Sequence, residues 1–396
     1  MIKRCSPAKA PKIAVEFNNN NVDNSDYFTT STFNNVVRSQ IGNFFIMHEN
    51  IHSYGFFFDE FHSFASELNR AADVIVLSET RFSASTCHDI QGYTGIHTYC
   101  ADKRGGGVSV FFRNCYTSTH IAKFSVFHAY YEISVAKVSL STNCSVIIIG
   151  GDRPPDKSKI PEFTITLNEI VSSTSQSDHV LIVGDLNIYL LGPIAIENDF
   201  INNCHSNSLI PLTNKHTRNA NNNPSILDHI WTNQLYDTFN GIFLLDKTDH
   251  YPISTIAPIN CPQKRIRVKF IDLSVQNLAK LKIQVEHYLN NHVQINQDVS
   301  ANTRNFCNNL FVIYSQCCPI KEKEIYFTRL LKPWISDAIM VSLNRKHKLF
   351  RQYKNGIVTF GHYNFFKNNF TTTQRHARNN YFQSKFTECS NNSRDT

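Results

Sequence analysis

The chain has 396 residues, 41% of them hydrophobic and 12% aromatic, enough for one large domain with an appendage or for two to three domains. No apolar run approaches the ~20 residues of a membrane span. Met1 to Phe17 carries Lys3, Arg4, Lys9 and Lys12 without the apolar stretch of a signal peptide, so membrane and secreted classes are set aside and an intracellular protein is expected. The net charge of +7 is unevenly spread: residues 262–396 hold 21 Lys and Arg against 8 Asp and Glu, whereas residues 1–261 hold 18 against 24. That asymmetry fits a polyanionic partner, nucleic acid first in line, and it also fits a solvated helical surface.

Residues 1–39 are rich in Asn, Ser and Thr and lack periodicity, so a disordered segment is expected there. Phe44 to Met47 reads as a strand, and Phe57, Phe61, Phe64, Ala65 and Leu68 fall on one helical face. Val74 to Leu77 is a β-branched run that delivers Glu79 at its end. Gly105, Gly106 and Gly107 form a turn feeding a strand from Val108 to Phe112. Tyr131 to Leu140 and Val146 to Ile149 are further strands. Ile160, Phe163, Leu167, Ile170 and Val171 make a helical face, with Ser158 and Pro161 near its start. Val180 to Val183 is a buried strand running into Gly184-Asp185-Leu186-Asn187. Ile226, Leu227, Ile230 and Trp231 flank Asp228 in another. Thr248-Asp249-His250 follows the run Ile242 to Leu245.

Beyond Pro258 the strand signals fade. Helical stripes follow at Leu278 to Leu289, Phe306 to Cys317, Pro333 to Phe350 and His362 to Phe386. A domain boundary is placed near 258–270. The 11 cysteines are scattered, with no Cys-x-x-Cys pair that would hold a structural zinc.

Four polar motifs stand at the ends of apolar strands: Ser78-Glu79-Thr80, Gly184-Asp185-Leu186-Asn187, Leu227-Asp228-His229 and Thr248-Asp249-His250. A carboxylate at a strand end is rigidly held yet faces a cleft. Several converging carboxylates repel one another unless a cation neutralises them, and oxygen ligands favour a hard ion, Mg²⁺ or Mn²⁺. A histidine beside them adds a group that handles protons near neutral pH. Each motif taken alone also fits an ordinary turn or a surface pair; their succession after β-branched runs is what carries the reading.

The order Asn50 (in His48-Glu49-Asn50-Ile51-His52-Ser53), Ser78-Glu79-Thr80, Arg153-Pro154-Pro155, Gly184-Asp185-Leu186-Asn187, Ile226-Leu227-Asp228-His229-Ile230 and Asp249-His250 resembles the endonuclease/exonuclease/phosphatase superfamily. Within it, Ser-Glu-Thr, Gly-Gly-Gly-Val, Arg-Pro-Pro and Leu-Asp-His-Ile-Trp-Thr-Asn are similar to endonucleases of non-LTR (LINE-type) retrotransposons. The resemblance implies an α/β fold, a four-layer α/β/β/α sandwich of two packed β-sheets flanked by helices, over residues 40–258. It implies a metal-dependent endonuclease that nicks DNA to prime insertion, working in the nucleus with Mg²⁺ or Mn²⁺. Glu79 would be the main metal ligand, with Asn50 and Asp249 near it. Asp185 would orient or deprotonate the attacking water, Asn187 would donate to developing charge, His250 would stabilise the transition state and Asp228 would hold the His250 ring.

The chain also departs from that pattern. Asp152 stands where the family places a tyrosine, Arg81 follows Ser-Glu-Thr in place of tryptophan, and Glu49 and His52 flank the first motif. Two other readings therefore stay open: a catalytically impaired retrotransposon fragment that keeps the fold and non-specific nucleic-acid binding, and a phosphoesterase acting on lipid or inositol phosphates. Lys332-Pro333-Trp334 resembles the segment that precedes a reverse transcriptase in such elements, so residues 259–396 are expected to form a basic helical linker without a reverse transcriptase domain. Residues 330–386 interleave Arg and Lys with Phe and Tyr, which suits contact with DNA or the element's RNA, or a helix packed on an absent polymerase. Without such a partner, the apolar stripes of these helices would be exposed.

Overall fold

The central strands arise where β-branched and aromatic residues follow one another without a break, so that both faces of each strand are apolar and buried. In the computed structural model, residues 25–37, 42–83, 89–98, 105–141, 144–174, 178–191, 194–220, 223–234, 238–260, 266–291, 299–325 and 332–389 are described. The chain divides into two units, one drawn from residues 1–262 and 328–396, the other from 263–327.

The first unit begins with β1 (Ser25–Phe28), α1 (Thr30–Val37), β2 (Asn43–Asn50), α2 (Tyr54–Glu67), β3 (Val74–Ser78), β4 (Tyr93–Thr98) and β5 (Val108–Arg113). It continues through β6 (Thr117–His120), β7 (Val126–His128), β8 (Tyr131–Ser141), β9 (Cys144–Asp152), α3 (Ile160–Ser172), β10 (His179–Asp185) and α4 (Ala195–Ser206). The strands β11 (Ile210–Pro211), β12 (Arg218–Ala220), β13 (Asn223–Ser225), β14 (Asp228–Thr232), β15 (Phe239–Phe243) and β16 (Ile253–Asn260) follow. One sheet has the order β1-β15-β16-β2-β3-β5-β4; the other has the order β11-β14-β10-β9-β8-β6, with β7 also paired to β8.

The sheets pack face to face. Phe44, Ile46, Val74 and Val76 of the first meet Val146, Ile148, Leu181 and Val183 of the second in one buried cluster. Each such side chain contributes on the order of 1.5–3 kcal/mol by leaving water. The outer face of the second sheet, with Ile149, Ile182 and Trp231, is covered by Phe163 and Leu167 of α3 and Phe200 of α4. Phe33 of α1 and Phe64 of α2 close over the first sheet against Phe45 and Phe243. The result is two packed sheets flanked by helices.

Two expectations are corrected. Residues 1–24 lie outside the described residues, but residues 25–37, expected to be disordered, form β1 and α1. Their Asn, Ser and Thr content hides a small aromatic core: Phe33 is buried, and β1 pairs in parallel with β15 from Ser25↔Asn240 to Phe28↔Phe243. Residues 259–396 carry the four expected helices, but strands do not end near Pro258 as the fading signals suggest. The second unit contains β17 (Ile266–Ile271), α5 (Val275–Asn291), α6 (Val299–Cys317) and β18 (Ile320–Ile325). Strands β17 and β18 pair antiparallel along their whole length; the alternating Lys, Arg and Glu in both strands conceal them in the sequence.

The chain returns to the first unit with α7 (Asp337–Lys354) and α8 (Phe360–Cys389). Helix α7 starts later than Pro333 because the Ser336 hydroxyl caps it, accepting from the Ile339 N–H at 3.4 Å. The apolar stripes of both helices are not left bare. Trp334, Ile335, Ile339, Leu343 and Phe370 bury one another with Phe58 of α2 packed against them, and Arg378 of α8 pairs with Asp59 of α2 at 2.9 Å.

Glu49, inside β2, points to the outer face, where it is almost fully buried and ion-paired with the equally buried Lys247. Burial still pushes its carboxyl above the usual range despite Lys247. Removing one partner leaves the other charge uncompensated. Lys247→Met is expected to destabilise the fold by about 3–5 kcal/mol in urea unfolding, and adding Glu49→Gln to it should recover most of that loss.

Candidate active site

Strand parity decides what faces the space between the sheets. In β2, Phe44 and Ile46 point inward, so His48 and Asn50 do too; in β10, Leu181 and Val183 are followed on the same face by Asp185. Register then sets Glu132 opposite Asp152, Asp152 beside Asp185 and Asp185 opposite Asp228. Four acids from β8, β9, β10 and β14 thus form a row across one end of the second sheet. Like charges directly opposite one another are destabilising, so this row needs compensation. Gly184 makes the close approach possible: a Cβ there would stand 1.8 Å from the Gly151 carbonyl oxygen.

The first sheet supplies the partners. Asn50 donates from Nδ2 to Glu79 Oε1 at 2.9 Å and to Asp185 Oδ2 at 2.8 Å. Glu79 lies one residue past β3 with φ 49°, a left-handed backbone that takes it out of the strand's alternation. Its Oε2 is met by His52 Nδ1 at 2.9 Å and by Arg81 at 3.9 Å, and its backbone N–H donates to Asp152 Oδ2 at 3.2 Å. His250 Nδ1 donates to Asp228 Oδ2 at 2.8 Å and stands 3.8 Å from Asp185 Oδ2.

These contacts fix the electrostatics. Burial, then Asp185, Glu132 and Glu79, push the Asp152 carboxyl well above the usual carboxylate range. Burial and Asp228 raise Asp185 to about 6 against the opposing pull of His250 and Asn50. Asp228 is also buried, yet the bonds from His250 and His48 hold it below the usual range. Burial alone would depress His250, but Asp228 and then Asp185 push it up to about 10. The site therefore holds an imidazolium on an aspartate, next to a carboxyl whose hold on a proton is strengthened.

The sequence-expected residues do not all meet. Asn50, Glu79, Asp185, Asp228 and His250 converge. Asp249 is engaged elsewhere: Arg218 Nε holds its Oδ2 at 2.7 Å, and it is half exposed. A residue next to His250 in sequence need not share its direction, because the isolated bridge Arg218↔His250 turns the chain there. Asn187, with φ 50°, donates from Nδ2 to the Arg153 carbonyl at 2.6 Å.

Three contributors have roles that the sequence reading did not assign. His48 Nε2 lies 3.2 Å from Asp228 Oδ1, so Asp228 is gripped by a histidine on each oxygen; counting back two from Asn50 on the inward face would have found it. Arg153, fully buried, donates to the carbonyls of Leu186, Asn187 and Asp156 at 2.8, 2.7 and 2.6 Å, which fixes the loop after Asp185. Thr217 Oγ1 accepts from the Asp228 N–H at 3.1 Å. Among the described residues six non-glycines take positive φ; five of them, His52, Ser53, Glu79, Arg81 and Asn187, lie in the loops at this mouth, and the sixth, Ser208, follows α4. Backbone held in such sparse regions costs of order 1–3 kcal/mol each and collects where geometry is functional.

The donor set suits a hard divalent ion. Glu79, Asp152 and Asp185 gather oxygens whose mutual repulsion a cation would relieve. Asp185, Asp228 and His250 also bring ligand atoms within 4.8 Å of one another, but His250 Nδ1 carries the proton it shares with Asp228. That trio is therefore also a proton network.

The sequence profile of the Endonuclease/Exonuclease/phosphatase family matches residues 50–250, just over half of the chain. Among solved structures, the endonuclease domain of TRAS1, a telomere-specific non-LTR retrotransposon, is 10% identical over 55% of this chain and 99% of that one, with a TM-score of 0.42. The AP endonuclease LMAP from Leishmania major is 13% identical over 64% and 100%, with a TM-score of 0.46. The 3'-5' exonuclease NExo from Neisseria meningitidis is 16% identical over 54% and 100%, with a TM-score of 0.42. No curated protein matches the chain.

The raised His250 is directly measurable. Its folded value of about 10 lies above the ordinary 6.5, so its contribution to stability is complete below pH 6.5 and is lost as pH rises through 10. In Asp228→Asn the imidazole titration, followed by NMR, should fall towards 6.5, and the stability difference between native protein and variant should narrow across that window.

Proposed function

The chain belongs to the Endonuclease/Exonuclease/phosphatase family, and from that premise we propose that it is a divalent-metal-dependent endonuclease that nicks DNA by phosphodiester hydrolysis. The observation that carries this reading is Asn50 bridging Glu79 and Asp185 beside the Asp228-held His250. The retrotransposon reading, in which the nick primes insertion, rests on Ser78-Glu79-Thr80, Arg153-Pro154-Pro155, Leu227-Asp228-His229-Ile230-Trp231 and Lys332-Pro333-Trp334.

Each residue has a task that its surroundings suit. Asp185, raised to about 6, is matched to accept a proton from the attacking water near neutral pH. His250 offers an imidazolium N–H to the developing phosphorane charge while Asp228 holds the opposite ring nitrogen; Nε2 has no hydrogen-bond partner among the described residues. Asn187 adds an amide donor, and Arg153 fixes the backbone on which it stands. Glu79 and Asn50 would hold a Mg²⁺ or Mn²⁺ ion, which when bound polarises the scissile phosphate and stabilises the leaving 3'-oxygen. Asp249, the third expected ligand, is paired with Arg218 at 2.7 Å, so its charge would reach such an ion already partly offset.

A second reading, retained fold with impaired catalysis, is favoured by Asp152. It adds a carboxyl to the acid row where the family's tyrosine would supply a phenol. A supercoiled-plasmid assay with Mg²⁺ separates the two. Native nicking that falls by at least ~10² in Glu79→Ala establishes the nuclease. Nicking confined to Asp152→Tyr establishes the impaired copy. Equal nicking by native protein and Glu79→Ala overturns both.

A further inference from the structure

An open groove of about 550 Å³ lies beside the loop that carries His250. One wall is Arg218, Thr248 and Asp249, directly next to His250 in sequence and, through the Arg218↔His250 bridge, in space. The other wall is the end of α7 and the start of α8: Tyr353, Lys354, Phe360 and Lys367. The C-terminal helices thus extend the mouth of the site beyond the two sheets.

The groove's acids are already answered within it. Asp249 is paired with Arg218 at 2.7 Å, and Asp246 with Lys367 at 2.7 Å and with the Tyr363 hydroxyl. Its surplus charge is positive. Lys354 has no carboxylate partner among the described residues, and neither have Lys348 and Arg351 on the preceding turns of α7; all three are exposed. Between residues 332 and 389 there are ten Lys and Arg against two Asp and Glu. The lip also presents a ring. Phe360 is 57% exposed and leans on Tyr353 at 5.5 Å, which stacks on Tyr363 at 5.8 Å and 5°. An exposed ring on an aromatic stack, beside a Lys354 that lies over the Phe350 and Tyr353 rings and has no carboxylate partner among the described residues, suits phosphates and bases better than an apolar partner.

We propose that this groove holds the DNA strand as it leaves the cleavage site, with phosphates on Lys354 and its neighbouring cations and a base against Phe360. The proposal rests on the DNA-cleaving reading for the identity of the strand. The charge surplus supplies attraction without sequence preference, and the stacking ring adds affinity that tolerates any base.

The test uses the full chain and a fluorescein-labelled duplex DNA oligonucleotide, titrated by anisotropy in EDTA so that no cleavage occurs. Phe360→Ala should weaken binding on the order of 10-fold. Lys354→Glu should weaken it too, and should flatten the slope of log affinity against log salt by about 1. Both residues are exposed, and unchanged thermal unfolding of each variant shows that the fold is kept. Native affinity and salt slope in both folded variants overturn the proposal and leave the groove to a protein partner. Weakening confined to an RNA of the same sequence overturns it as well. Plasmid nicking is read separately: its absence with these binding differences intact defeats the nuclease reading and keeps the groove.

Discussion

The row of acids across β8, β9, β10 and β14 is the constraint around which the site is arranged. Parity and register place Glu132, Asp152, Asp185 and Asp228 side by side at the end of a sheet whose other inward positions are apolar. Four carboxylates so placed cannot all be charged without partners. The rest of the mouth supplies them one by one. Asp228 receives two histidines, Asp185 an asparagine amide, Glu132 the Gly107 N–H and Asp152 the Glu79 N–H. The loops that deliver these donors accept unfavourable φ values to do so.

This compensation is uneven, and the unevenness is what makes the site chemical. Asp228, gripped on both oxygens, stays ionised. Its neighbour Asp185 has the Asn50 amide, a longer bond from the Asn187 N–H at 3.3 Å and a histidine 3.8 Å away, and burial beside Asp228 raises its carboxyl to about 6. Two identical side chains in adjacent strands are thereby driven apart in acidity, the pattern that separates a fixed anion from a proton acceptor. Arg153 acts on the same loop from below. It spends its donors on three carbonyls rather than on a carboxylate, so it shapes the backbone after Asp185 without cancelling that group's charge.

The chemistry of the mouth was legible in the sequence wherever an acid ended a β-branched run. Glu79, Asp185, Asp228 and His250 could be named because each stands at or near the end of an apolar run; Asn50 could be named only through the family resemblance of its motif. His48 could not, since it sits within the strand and only its shared face with Asn50 gives it away. Direction was equally hidden: nothing in Thr248-Asp249-His250 says that Asp249 turns to Arg218, a residue 31 positions earlier. The fold's two sheets follow from period-2 runs, but β1 and α1 depend on distant aromatic contacts, and β17 and β18 are concealed by their own charges. The docking of α7 and α8 on α2 is a tertiary match between apolar stripes, and a stripe does not name its partner.

Asp152 shows how a further carboxyl can be absorbed by such a row without being neutral to it. A phenol at this position would add a hydrogen-bond donor and no charge. A carboxyl adds a charge unless it is protonated, and Asp185, Glu132 and Glu79 all press it towards protonation. Protonated, it again becomes a donor, because the Glu79 N–H engages only Oδ2 and leaves the other oxygen to carry the hydrogen. A cation drawn to Glu79 would act in the opposite sense, stabilising the ionised form. Proton and metal are thus competing answers to the same repulsion, and the balance between them at Asp152 governs how far this mouth resembles one that carries a phenol.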